Sequence, residues 1–154
     1  HPRMRRRRDK LPAPGLSDPM RSLSLVLVLL AAPIPALAQD RPPVVRQNLV
    51  DLAYVLGEAH ALRQVCQGPD DQFWRNRMIR LVDTEAPDAT FEHRLREAFN
   101  TGFSTRRGQY PSCGGGARQA LSSTLAEGRR LSDDLARARA DRGDDSMADE
   151  AAPR

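Results

Sequence analysis

Cysteine and lysine are almost missing from this sequence: 154 residues hold two Cys, Cys66 and Cys113, and one Lys, Lys10. With no C-x-x-C pair, the spacing of a redox dithiol and the short paired spacings of a structural zinc module are both excluded. No apolar run is long. The longest, Leu23 to Ala32, has ten residues and is followed by Pro33 and Pro35, whereas a membrane-spanning helix needs about 20. H-E-x-x-H is absent, so a metalloprotease-type zinc site has no support. From Gln39 onward nothing alternates at period two for long enough to make a strand. Aromatics are few: one Trp, two Tyr and four Phe.

The short apolar run carries its own information. Arg21 supplies a basic start, Leu23 to Ala32 the apolar core, and Ala36-Leu37-Ala38 a small-x-small cleavage site, so Met20 to Ala38 reads as a secretory signal peptide. The mature protein is then expected to begin at Gln39, to be periplasmic, and to have no transmembrane segment. Gln39 is not Cys, which removes the lipid anchor of an exported lipoprotein. His1 to Pro19, with Arg5-Arg6-Arg7-Arg8, reads as an upstream extension, or as an alternative start at Met4, without a function of its own.

Export overturns the charge argument. The chain carries 24 Lys+Arg against 20 Asp+Glu, net +4. Residues 1–38 hold seven of those cations and two of those acids, which leaves 17 Arg against 18 acids, a net of −1, in residues 39–154. Net charge therefore gives no case for nucleic acid or an anionic membrane as partner, although a local patch can exist. Export also favours pairing of the two cysteines. With 46 residues between them, chain entropy gives about 4 kcal/mol of stabilisation. That is substantial for a foldable region, Val44 to Ala138, too small to bury a large core.

Periodicity predicts four helices and an all-α fold, a small four-helix bundle closed by one disulfide. Val45, Leu49, Leu52, Leu56, Ala59 and Cys66 form one stripe, widened by Val50, Val55, Leu62 and Val65, so helix one is central. Gly68-Pro69 stops it. Asp70 or Asp71 then caps a second helix with Trp74, Met78, Leu81 and Val82 inward, ending before Pro87. Asp88 caps a third, carrying Phe91, Leu95, Ala98, Phe99, Gly102 and Phe103, with a break at Gly108. A fourth runs from about Ala117 to Ala138 with Leu121, Thr124, Leu125, Gly128, Leu131 and Leu135 inward. Residues 39–138 are thus the helical domain. Arg139 to Arg154, acidic and without Leu, Ile, Val or Phe, is expected to be a disordered tail.

Candidate chemistry is sparse. Gly57-Glu58-Ala59-His60-x-x-Arg63 brings a carboxylate, an imidazole and a guanidinium together. Glu58 and His60, two apart on a helix, nonetheless point in different directions, and Gly57 is expected to admit a neighbouring helix. Asp71-Gln72-Phe73-Trp74-Arg75 offers an aromatic platform with polar anchors or, more simply, a helix start and a core tryptophan. His93 and Glu97 make an exposed i,i+4 pair. Gly114-Gly115-Gly116 lacks the Gly-Lys-Ser/Thr of a phosphate loop and reads as a flexible loop. The candidate binding residues are His60, Arg63, Asp71, Trp74 and Arg75, with no catalytic residue, metal ligand or cofactor assigned.

Leu56-Gly57-Glu58-Ala59-His60-x-Leu62-Arg63-x-x-Cys66, Asp71-Gln72-Phe73-Trp74-Arg75 with Met78, Glu85-x-Pro87, Ala98-Phe99-Asn100-x-Gly102-Phe103 and Ser112-Cys113 together resemble a family of uncharacterised small exported alphaproteobacterial proteins. The resemblance covers about Leu49 to Leu135. It implies a disulfide between its two well-separated cysteines, matched by Cys66 and Cys113, and it implies no activity. The leading expectation is a non-catalytic periplasmic module that binds an envelope protein or cell-wall component. Its rivals are a small hydrolase or lyase using His60 with Glu58 or Asp71, and a stress chaperone, which predicts an exposed concave apolar face.

Overall fold

The structure, a computed structural model, describes residues 41–150, with the side chains of 146 and 148–150 left undescribed. The expected signal segment Met20 to Ala38, its cleavage point, the extension before it and residues 151–154 lie outside the described residues. Four helices follow one another: α1, Pro43–Gln67; α2, Phe73–Glu85; α3, Ala89–Gln109; and α4, Gly115–Glu150.

Helix α1 opens with Pro43, whose missing N–H is one of the groups that a first turn leaves unpaired anyway. It closes at Gly68, where φ is +105° and the glycine N–H returns to Gln64 O at 2.9 Å. Every residue from Val55 to Leu62 is buried. A helix covered all round belongs at the centre of its fold, and α1 packs on each of the other three, most extensively on α3 and then α4. The central cluster joins Leu49, Leu52, Val55 and Leu56 of α1 to Met78 of α2, Phe91 and Leu95 of α3, and Leu131 of α4.

The α1–α3 crossing is close because two glycines face each other's backbones. A Cβ on Gly57 would stand 1.9 Å from Phe99 O, and one on Gly102 would stand 2.2 Å from Tyr54 O. The space expected at Gly57 is therefore filled by α3 itself. The remaining connections follow local chemistry. Asp88 Oδ1 accepts from Phe91 N–H at 2.8 Å and caps α3. Asp71 is not the cap of α2, a place taken by Gln72; it accepts from Phe73 N–H at 3.2 Å one step earlier. Gly108 does not stop α3, which runs one residue past it.

The disulfide joins Cys66 to Cys113 with Cα atoms 4.8 Å apart, inside the span that sulfur can bridge. It fastens the end of α1 to the loop before α4 and closes the four-helix bundle. One expectation is corrected: residues 139–150 are not a disordered tail but the end of α4. They lack proline, and their one interrupting glycine, Gly143, costs only about 1 kcal/mol of helix propensity. Arg139, the first of them, also reaches Glu85 Oε1 on α2 at 3.3 Å.

Candidate functional site

The sequence-derived candidates divide among three places. At the α1–α2 corner, Arg63 Nε donates to Asp71 Oδ2 at 2.7 Å, and Gln64 Nε2 donates to the carbonyls of Pro69 and Asp71 at 2.8 and 3.1 Å. Phe73, partly exposed, carries the guanidinium groups of Arg63 and Arg77 against its ring, each 4.7 Å from its centroid, and meets Trp74 edge-on at 4.9 Å. The Arg63 hydrogen bond holds the Asp71 carboxyl below its ordinary value, helped by Phe73 N–H. Residues committed in this way shape a turn.

His60 is buried, with its ring tilted against Phe99 and Phe103 of α3 at centroid distances of 5.7 and 5.3 Å. Its Nδ1 has no hydrogen-bond partner among the described residues. Burial pushes the imidazole pKa down, against the pull of Asp71 and together with Arg75. The ring edges a cleft of about 520 Å³ shared with Arg75, Met78, Phe99 and Phe103. Neither proposed carboxylate is hydrogen-bonded to it. Glu58 turns to Arg106, whose Nε lies 2.8 Å from Oε1 in an ion pair poorly aligned for a hydrogen bond. Burial raises the Glu58 pKa while Arg106 opposes the rise.

Trp74 faces elsewhere, into a groove of about 710 Å³. It exists because α2 and α4 both rest on α1 while making little contact with each other. The floor is Leu52, Val55, Leu56 and Ala59 of α1, with Leu81 and Trp74 on the α2 wall and Leu125 and Leu135 on the α4 wall. Arginines crowd the rim: Arg41, Arg77, Arg80, Arg129 and Arg139, against Glu85 and Asp133. At one end Glu85 takes Arg41 Nη2 on Oε2 at 2.6 Å and Arg139 Nη2 on Oε1 at 3.3 Å, which ties the two walls together. Arg80 and Arg129 are exposed and lack an acidic partner among the described residues. Buried Thr124 also lines the groove, its Oγ1 without a partner. Of the candidate binding residues read from the sequence, only Trp74 lines this groove. Arg77 and Arg80 share a helical face and Arg129 stands four residues before Asp133, but only the topology puts these elements around one space.

A family model described as a protein of unknown function, DUF2385, matches residues 45–138. The chain belongs to that family. The DUF2385 region contains both cysteines, the Gly57–Gly102 crossing, His60 and the whole groove except its ion-paired end, where Arg41 and Arg139 stand just outside the matched span. Neither a curated protein nor a solved structure matches the chain. Among the described residues no helix is long and apolar enough to cross a membrane. Likewise, no group of three or more His, Cys, Asp or Glu among them is placed to hold a metal ion.

Proposed function

We propose that this DUF2385 protein is a non-catalytic binding module of the cell envelope, exported by the signal segment Met20 to Ala38 and working in the periplasm. The observation that carries the reading is the groove between α2 and α4. It is of a size typical of ligand sites, about 300–1,000 Å³, and its floor is formed by the apolar side chains Leu52, Val55, Leu56 and Ala59 beneath a rim of arginines. The carboxylates that a His60-based hydrolase or lyase would use are engaged with arginines, which favours binding over catalysis. The concave apolar floor lends some support to the chaperone reading as well, which requires indiscriminate capture of unfolded chains.

The test is occupancy in the cell. A photocrosslinking residue placed at Ser132 or Ala136, on the groove wall, is expected to give discrete adducts from envelope fractions, whereas one at His93 on the exposed face of α3 gives none. Mass spectrometry of the same material is expected to show Gln39 as the first residue. Equal labelling at both positions, or a heterogeneous smear of client proteins from the groove position, would defeat the proposal.

A further inference from the structure

We infer that the α2–α4 groove takes a single-chain anionic amphiphile, a long-chain carboxylate, with its tail on the α1 floor and its head among the rim arginines. This rests on the binding-module reading and gives the ligand's chemistry.

Three features of the groove select that class. The first is charge. Five arginines against two acids leave the rim net positive, although the chain from residue 39 onward is net −1. The patch is therefore local and stands against the background. Glu85 is already spent on Arg41 and Arg139, and Arg77 is stacked on the rings of Phe73 and Trp74. Arg80 and Arg129, one on each wall, remain exposed and without an acidic partner among the described residues. A carboxylate head that reaches these guanidinium groups gains charge-assisted hydrogen bonds without displacing an acidic partner.

The second is the floor. Leu52, Val55, Leu56 and Leu81 are aliphatic and, beside the Thr124 hydroxyl, unpartnered among the described residues, make the floor of the groove mainly apolar, so the part of a ligand that lies along it fits best if it is apolar. An anion without a tail would make no use of them. The third is the closed end. The bridge from Glu85 of α2 to Arg139 of α4 crosses the groove, so a partner helix laid lengthwise would have to break this ion pair to pass. A tail can end short of it.

The chain carries its own reporter, because Trp74 is its single tryptophan and lines the groove. Titration of the purified disulfide-bonded protein with dodecanoate, below its micelle-forming concentration, is expected to shift Trp74 emission to the blue and saturate at one equivalent, with matching heat by calorimetry. Dodecyltrimethylammonium, with the same tail and the opposite head, is expected to bind far more weakly. The Arg80→Glu/Arg129→Glu protein, with helicity checked by circular dichroism, is expected to lose affinity for dodecanoate by roughly ten-fold or more. Equal binding of the two amphiphiles, unchanged affinity in the folded double variant, or no binding of dodecanoate overturns the inference. A groove that ignores dodecanoate but crosslinks to an envelope component in cells would leave the binding-module reading standing and remove only the amphiphile.

Discussion

At the scale of single residues, the two glycines of the α1–α3 crossing and the buried histidine beside them are the most exacting positions. A methyl group on Gly102 would run into Tyr54 O and the Glu58 amide nitrogen, both backbone atoms that can move only if the helices part. Gly102→Ala is therefore expected to cost about 3 kcal/mol or more, read as a lowered urea midpoint, while Gly108→Ala, with open space around it, is expected to be neutral or mildly stabilising. His60 gives a pH signature. Its pKa is lowered in the folded protein from an ordinary 6.5, so below about pH 6.5 the unfolded chain takes up a proton that the folded one resists, and stability falls with pH. Asp71 has a depressed pKa as well, but its stabilising contribution is lost only as pH falls below its ordinary 3.8, which separates the two windows. Urea midpoints at pH 7.5 and 5.5 should draw together in His60→Leu relative to the parent; an equal drop in both would remove His60 as the cause.

At the scale of elements, what the sequence reveals depends on whether a signal is local. The helix starts and stops near Pro43, Gly68, Pro87 and Asp88 are readable because proline, glycine and a capping carboxylate act within one turn. The disulfide is readable because two cysteines allow one pairing. The inward faces of α2 and α3 are also readable, since Met78, Phe91 and Leu95 repeat at helical spacing and are buried. The end of α4 is not, because a stretch with four Asp and one Gly among its twelve residues has the composition of disorder and no strong local helix signal. What decides between them is continuity with α4, supported by exposed ion pairs such as Glu127–Arg130 and Arg130–Asp134 at 2.5 and 2.8 Å, each worth only about 0.3–0.5 kcal/mol. The groove is hidden for another reason: Arg80, Arg129 and Leu52 are far apart in sequence, and no periodicity links three elements. Truncation after Ala138 is expected to remove about twelve residues of helical ellipticity and, because the buried Glu85 loses the exposed Arg139 but keeps Arg41 at 2.6 Å, only about 1 kcal/mol of stability. Unchanged total ellipticity would show that residues 139–150 are not helical in solution.

At the scale of the whole molecule, three helices lean on one, and a single covalent tie fastens the arrangement. Reduction of Cys66–Cys113, or its replacement by two alanines, is expected to lower stability by about 4 kcal/mol, measured by denaturation with and without reductant. A loss under 1 kcal/mol would mean that the tie adds little to a bundle that is already closed. The tie also divides the polypeptide mechanically. Cysteines 47 positions apart make a ring that holds α2 and α3 entirely, while α1 up to Cys66 and all of α4 lie on the two strands leading out of it. Tension applied at the chain's extremities therefore passes from α1 to α4 through the sulfurs and bypasses the ring. Pulled between two beads, the oxidised molecule should come up short of the reduced one by about 160 Å of extended chain, and α2 and α3 should feel none of the load.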